Sequence, residues 1–341
     1  MSRRAWSAFA AVSVLWGIPY LFIKIADDHG MPPLVLAWGR VLLGAAVLLV
    51  IAGRAGTLAS LRGRGRWLLA FAVLEIAIPF PLIALGETKV ASSTAAIVIA
   101  AVPLIVTLLV LRFEPSERVT GWRLVGLLVG FAGVAALVGV DVSGNGGELL
   151  GVGAVLIAAC GYASAPLILK RHLIDLDPTA VMAACLTIAA AILTPFAIVD
   201  WPSAAPSGGA FAAVAVLGLL CTALALVLMA ILIGAAGPAR ASVITYINPV
   251  IALGLGIAFL GESPGVGSLI GLVLILIGSW ISTRGSSQPT RASSAMRMRS
   301  AKCAMVCSGN NAARIFDPSP QPSPARGEGI INDASADRFI R

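Results

Sequence analysis

Apolar residues gather into ten stretches, each bounded by Gly, Pro or charged residues: 6–25, 33–52, 67–86, 91–111, 121–140, 149–169, 179–199, 210–233, 239–260 and 265–283. A helix must run for about 20 residues to cross the roughly 30 Å hydrocarbon core of a bilayer. Every stretch meets that length, so the pattern predicts an all-α integral membrane protein with ten transmembrane helices. The first stretch follows Arg3 and Arg4 as a signal peptide would. It is too long for one, carries Pro19 and Lys24, and nine further stretches follow, so it is expected to be retained.

The ten stretches are five repeated. SSTAAIVIAAVPLIVTLLVLRFEPSE (92–117) and ASVITYINPVIALGLGIAFLGE (241–262) both begin with small residues, carry a central proline and end on glutamate. Pro103 and Pro249 are 146 residues apart, and Glu117 and Glu262 are 145 apart. Gly126 and Gly133 match Gly271 and Gly278 at the same spacing of 145, and Gly17 of LWGIPYLFIK matches Gly161 of ACGYASAPLILK at 144. The expected organisation is a first five-helix unit over 5–140, a second over 148–284 and a tail over 285–341. With five spans per unit the second copy enters the bilayer from the opposite side. Such inverted repeats commonly enclose a substrate site near the midplane, which makes a transporter the expected class.

Lys and Arg collect in alternate connections. Arg3, Arg4, Arg54, Arg62, Arg64, Arg66, Arg112, Arg118, Arg123, Lys170, Arg171, Arg240 and Arg284 fall on one side. The other side holds Lys24 and Lys89 among Asp27, Asp28, Glu87, Asp141, Glu148, Asp200 and Glu262. The basic side is the cytoplasmic one, which places both termini inside. This asymmetry and the tail together account for the net charge of +8, so no nucleic-acid partner is needed to explain it. At 58% hydrophobic and 12% charged residues, with mean hydropathy +0.95, the chain is far from a soluble domain, which has about a quarter charged residues.

Against that background, charged and polar residues within spans become candidates. Arg40 lies about 10 Å below the outer surface and Glu75 about 12 Å above the inner one, at 1.5 Å per residue. A charge at the centre of a span costs roughly 2.5–3.5 kcal/mol on insertion scales, so both should face protein or a wet cavity. Either they form a structural ion pair between the second and third helices, or they bind substrate or carry a proton. Thr94, Tyr246 and Asn248 rise above the other polar residues because they flank the proline-containing regions. Pro103 and Pro249 each remove a helical hydrogen bond and serve either as packing kinks or as hinges. The glycine-bearing faces (126–133 and 271–278) let backbones approach closely, within the chain or against a second copy in a homo-oligomer.

Catalytic and metal chemistry find little support. The two histidines, His29 and His172, lie in connections on opposite sides, and no nucleophile triad or HExxH run occurs. Cys160, Cys185 and Cys221 are read as packing residues. Cys303 and Cys307 form a CxxxC without further ligands, so neither a metal nor a cofactor is expected. The tail, with FDPSPQPSPARGEG, is low-complexity, and disorder is the expectation for it; its arginines could meet membrane lipid headgroups.

The segments WGIPYLFIK (16–24), WGRVLLGAAVLL (38–49), ALGETKVASSTAAIVIAAVPLIVTLLV (84–110), ERVTGWRLVGLLVGFAGV (117–134), GPARASVITYINPVIALGLGIAFLGE (237–262) and IGLVLILIG (270–278) resemble EamA-type proteins of the drug/metabolite transporter superfamily. The resemblance implies ten helices in two inverted halves in the bacterial inner membrane. It implies no enzymatic activity and movement of small metabolites, often export of amino acids, with protons as the coupling ion in some members. It also implies a central cavity lined here by Tyr20, Glu75, Thr94, Tyr162, Thr222 and Tyr246, with Arg40 as the family's basic residue of the second helix. Secondary active export of an amino acid or related metabolite by alternating access is the leading expectation. A lipophilic-cation exporter using Glu75, or a non-transporting lipid-handling protein, are the alternatives.

Overall fold

A computed structural model describes residues 3–113, 121–141, 146–236, 241 and 244–284. Among these residues every regular element is helical, and all belong to one compact unit. Seven helices are long and apolar enough to cross a membrane: α1 (Ala5–Asp28), α2 (Pro33–Arg54), α3 (Gly65–Glu87), α4 (Ser92–Leu109), α6 (Gly146–Leu173), α7 (Pro178–Val199) and α8 (Gly208–Ala236). Three more are α5 (Gly121–Asp141), α9 (Ile244–Leu260) and α10 (Val266–Arg284). Their apolar portions, Leu124–Leu137, Ile244–Leu260 and Val266–Ile281, are shorter. The chain is therefore a multi-span membrane protein; seven of the ten expected spans reach full length among the described residues. Glu117 and the tail (285–341) lie outside them.

Three of the helix deformations lie at prolines, whereas the widened π stretch Leu217–Leu224 of α8 has none. Proline has no N–H, and its ring crowds the carbonyl four residues earlier. Ahead of Pro19, α1 breaks between Leu15 and Pro19. Pro103 follows a break in α4 between Ile99 and Val102. In α3, Pro79 cannot bond the Glu75 carbonyl, and the preceding turn Val73–Ala77 widens to π geometry, with Ile78 N donating to Val73 O at 3.0 Å. By contrast, α9 runs continuously through Pro249, which is buried inside it. The two repeat-related prolines thus act differently: only Pro103 adjoins an interruption of the helix.

The helix contacts follow the duplicated sequence. Helix α2 packs on α7, α4 on α9 and α5 on α10, while α1 meets α8 as α3 meets α6. Each pairing maps onto itself or onto another when a helix is exchanged for the one five places along. The α5–α10 seam is the tightest, because glycines face glycines. A Cβ at Gly271 would lie 2.9 Å from Gly133 O, and one at Gly278 would lie 2.6 Å from Gly126 O. The glycine faces expected from sequence therefore join the two halves of one chain.

Helix starts in the first half are capped from the second. Leu34 N donates to Asp200 Oδ2 (3.0 Å); Ser92 N and Ser93 N donate to Glu262 Oε1 (2.8 Å) and Oε2 (3.1 Å). An ionised carboxylate at a helix N-terminus satisfies orphan amides and faces the positive end of the dipole. Glu262 is thus a cap on α4 rather than a loop charge. At the opposite end, the α2–α3 connection meets the α6–α7 connection: Arg64 Nη2 pairs with Asp175 Oδ2 (2.7 Å), and Trp67 stacks on His172 at 3.5 Å between ring centroids.

Candidate functional site

Between the halves lies a cavity of about 210 Å³. Helix α1 reaches it through Trp16 and Tyr20, where the Pro19 break turns the chain inward. Helix α2 contributes Arg40, α3 contributes Phe71, Glu75 and Phe80, α6 contributes Tyr162, and α9 contributes Thr245 and Asn248. Leu169, Met182 and Ile233, near helix ends on the Arg64–Asp175 side, line it as well, as do Ile23, Ile83 and Ile99 toward the α3–α4 side.

Two side chains of opposite type, Arg40 and Glu75, face this space without pairing to each other. Arg40 is 5% exposed. Its Nε donates to Thr222 Oγ1 at 3.0 Å, and the guanidinium carbon stands 4.1 Å from the Phe80 ring centroid. Cation–π contact of this kind contributes about 2 kcal/mol when desolvated. The terminal nitrogens of Arg40 form no hydrogen bond or ion pair with other described residues. Glu75, also 5% exposed, presents a buried Oε2 without a hydrogen-bond partner among the described residues. No ion pair joins it to Arg40, so the structural ion pair, one of the two readings of these residues, is not formed. The reason is local. Phe80 and Thr222 already hold Arg40, while Glu75 is carried on the π turn at Val73–Ala77.

The remaining candidates divide. Tyr20, Tyr162 and Asn248 line the cavity. With its amide oriented toward acceptors, the Asn248 nitrogen donates to Ile244 O (3.1 Å) and Ser13 O (3.0 Å), tying α9 to α1. Thr222 is fully buried and acts behind Arg40 rather than on the cavity surface. Thr94 instead lines a separate polar recess with Lys89, Ser93, Glu148 and Glu262 at the α3–α4 end. On α9, Thr245 takes the lining position and Tyr246 is not among the lining residues.

Phe71 and Phe80 were not singled out by sequence, because aromatic residues inside an apolar run carry no periodic mark. Glu87 was assigned to a connection, whereas it ends α3 at 3% exposure. The neighbouring Gly86 offers the one sequence cue: it brings α3 against α6, and a Cβ there would lie 2.7 Å from Val155.

A multi-span helical bundle with a largely apolar cavity between its halves, into which a few polar and charged side chains project, has the build of a membrane transporter. The EamA-like transporter family matches residues 4–139 and 149–284, and the chain belongs to that family. It is 30% identical over 266 residues to the inner membrane transporter YedA of Escherichia coli (strain K12), itself uncharacterized, across 76% of this chain and 83% of YedA. To the uncharacterized transporter YvbV of Bacillus subtilis (strain 168) it is 24% identical over 278 residues, covering 78% of this chain and 87% of YvbV. A solved structure titled only "Crystal structure of protein" shares the fold, with TM-score 0.62 and 22% identity over 84% of this chain and 99% of that one.

Proposed function

We propose that this transporter exports an amino acid or a related small zwitterionic metabolite by alternating access between two inverted five-helix halves. The observation that carries the reading is the pair of opposite charges, Arg40 and Glu75, lining one apolar cavity without pairing to each other. A substrate carboxylate suits the free guanidinium nitrogens, an ammonium suits Glu75, and the aromatic and methionine walls suit an apolar side chain. The cavity, about 210 Å³, lies below the roughly 300–1,000 Å³ usual for drug-sized ligands, which favours a small solute. The basic α2–α3 and α6–α7 connections favour the Arg64–Asp175 end as the cytoplasmic one, with both termini inside.

Proteoliposomes loaded with labelled apolar amino acids, with and without a pH gradient, test this. Arg40→Ala and Glu75→Gln should each lower flux by about ten- to a hundredfold, the effect of losing a hydrogen bond to a charged group. Amino-acid flux that survives both substitutions would sink the zwitterion reading. A lipophilic cation, the second reading, is favoured by the apolar surroundings of Glu75; its flux should fall in Glu75→Gln and persist in Arg40→Ala.

A further inference from the structure

A second buried carboxyl lies outside the cavity, at the end closed by the Glu262 cap. Glu87 Oε2 is 3.1 Å from Ser92 Oγ, and the same Oγ is 3.2 Å from Tyr20 O. A serine hydroxyl has one proton to donate, and a main-chain carbonyl can only accept. If that proton goes to Tyr20 O, the contact between Ser92 Oγ and Glu87 needs a proton on Glu87, giving a chain from the Glu87 acid to the Ser92 hydroxyl to the Tyr20 carbonyl. The reverse assignment sets an Oγ lone pair against the Tyr20 carbonyl. It also leaves a buried carboxylate whose Oε1 has no partner among the described residues.

The surroundings bear on the same choice. Glu262 comes in from the α9–α10 connection, Arg40 from α2 and Lys24 from α1 as the charged groups acting on Glu87. Lys24 is occupied by Asp27 (3.3 Å) and Asp28 (2.9 Å). Helix α6 packs on this turn through Gly151 and Val155 and brings Glu148 to the recess that Lys89 and Glu262 also line, and the Tyr20 phenol on α1 interacts electrostatically with Glu87. Ser92 therefore joins two carboxyl groups, Glu262 through its main-chain N–H and Glu87 through its hydroxyl.

We infer that Glu87 is a proton-binding site whose occupancy keeps the α4–α9 end of the bundle closed. With the proton on, Ser92 ties α1, α3 and α4 together and Glu87 adds no charge beside Glu262, the carboxylate that caps the α4 start. Loss of the proton turns the Ser92 hydroxyl toward Glu87, frees the Tyr20 carbonyl and sets a second negative charge beside Glu262. The Glu262 cap then weakens and the end opens. Closure is thus the low-pH state and opening the high-pH state. In the exporter proposed above, this would make Glu87 a coupling site separate from the substrate charges, but the proton assignment itself does not depend on that reading.

Hydrogen exchange of the first-turn amides of α4, measured on the full chain in nanodiscs and scaled for the intrinsic pH dependence, tests the inference without any solute. Wild-type protection should fall roughly fivefold or more from mildly acidic to alkaline pH, the effect of losing about one helix cap. Glu87→Gln, which mimics the protonated acid, should stay protected throughout, and Glu75→Gln should respond like wild type. A flat wild-type response, or an unaltered response in Glu87→Gln, overturns the proposal. Should Glu87→Gln fail to fold, Glu87→Met decides, since it also removes the ionisable group and leaves the Glu262 cap in place: loss of the pH response supports the proton site and its retention refutes it. Because no substrate is present, failure here is distinct from failure of the transport reading.

Discussion

Substituting Gly278 with alanine adds a single methyl group where the two halves of the chain touch. The added Cβ would lie 2.6 Å from Gly126 O and 2.6 Å from Gly130 Cα, both main-chain atoms of a packed helix, so no flexible side chain can yield. Ordinary contact begins near 3.4 Å, so α10 must withdraw from α5 by several tenths of an ångström along the seam. Overpacking of this kind costs about 1–3 kcal/mol, against roughly 0.5–1 kcal/mol gained from replacing a helical glycine by alanine. A net loss of up to about 2.5 kcal/mol should appear as a lowered midpoint in thermal or denaturant unfolding of the detergent-solubilised protein. Gly153→Ala is the matched control, since a Cβ there meets nothing within 4 Å, and it should be neutral or slightly stabilising. If Gly278→Ala proved as stable as Gly153→Ala, the seam would not be held by backbone proximity.

Thr222→Val keeps the shape of the side chain and removes the acceptor of Arg40 Nε. Leaving that buried charged donor unsatisfied should cost about 1.5–3 kcal/mol and weaken transport through Arg40, read as lower unfolding stability and reduced flux. Pro79→Ala restores an N–H that can bond the Glu75 carbonyl, so the widened turn Val73–Ala77 should tighten and rotate Glu75 relative to the cavity. The expected result is a stable protein with flux reduced to the level of Glu75→Gln; unchanged flux would mean that the π turn does not position Glu75.

The helices were legible because each element answers to one physical demand, the length of apolar chain needed to cross lipid. Close-packing faces were legible in Gly126, Gly133, Gly271 and Gly278, whose small size lets backbones approach; that they join the two halves of one chain rather than two copies was not. Arg40 and Glu75 stood out because a charge in an apolar run is rare, yet their relation did not follow from their depths. Which neighbour each one faces depends on the π turn before Pro79 and on Phe80, and these depend on three-dimensional packing. The burial of Glu87 and the capping role of Glu262 were hidden for a related reason. A carboxyl at the end of an apolar stretch reads as a loop charge unless the helix start that it meets, here Ser92 and Ser93, is known to lie beside it.

The borrowed caps bear on biosynthesis. Helix α7 carries its own cap, with Asp177 accepting from Ala180 N at 2.8 Å, whereas its repeat partner α2 begins at Pro33 without one and relies on Asp200. The α4 start likewise relies on Glu262. A ribosome delivers α1 to α5 to the membrane before either carboxylate has been translated, so the first half waits with those amides unanswered until the second is inserted. The dependence runs one way: for these two helix starts, an N-terminal fragment made alone lacks the groups that complete it, and co-expression of the C-terminal fragment supplies them.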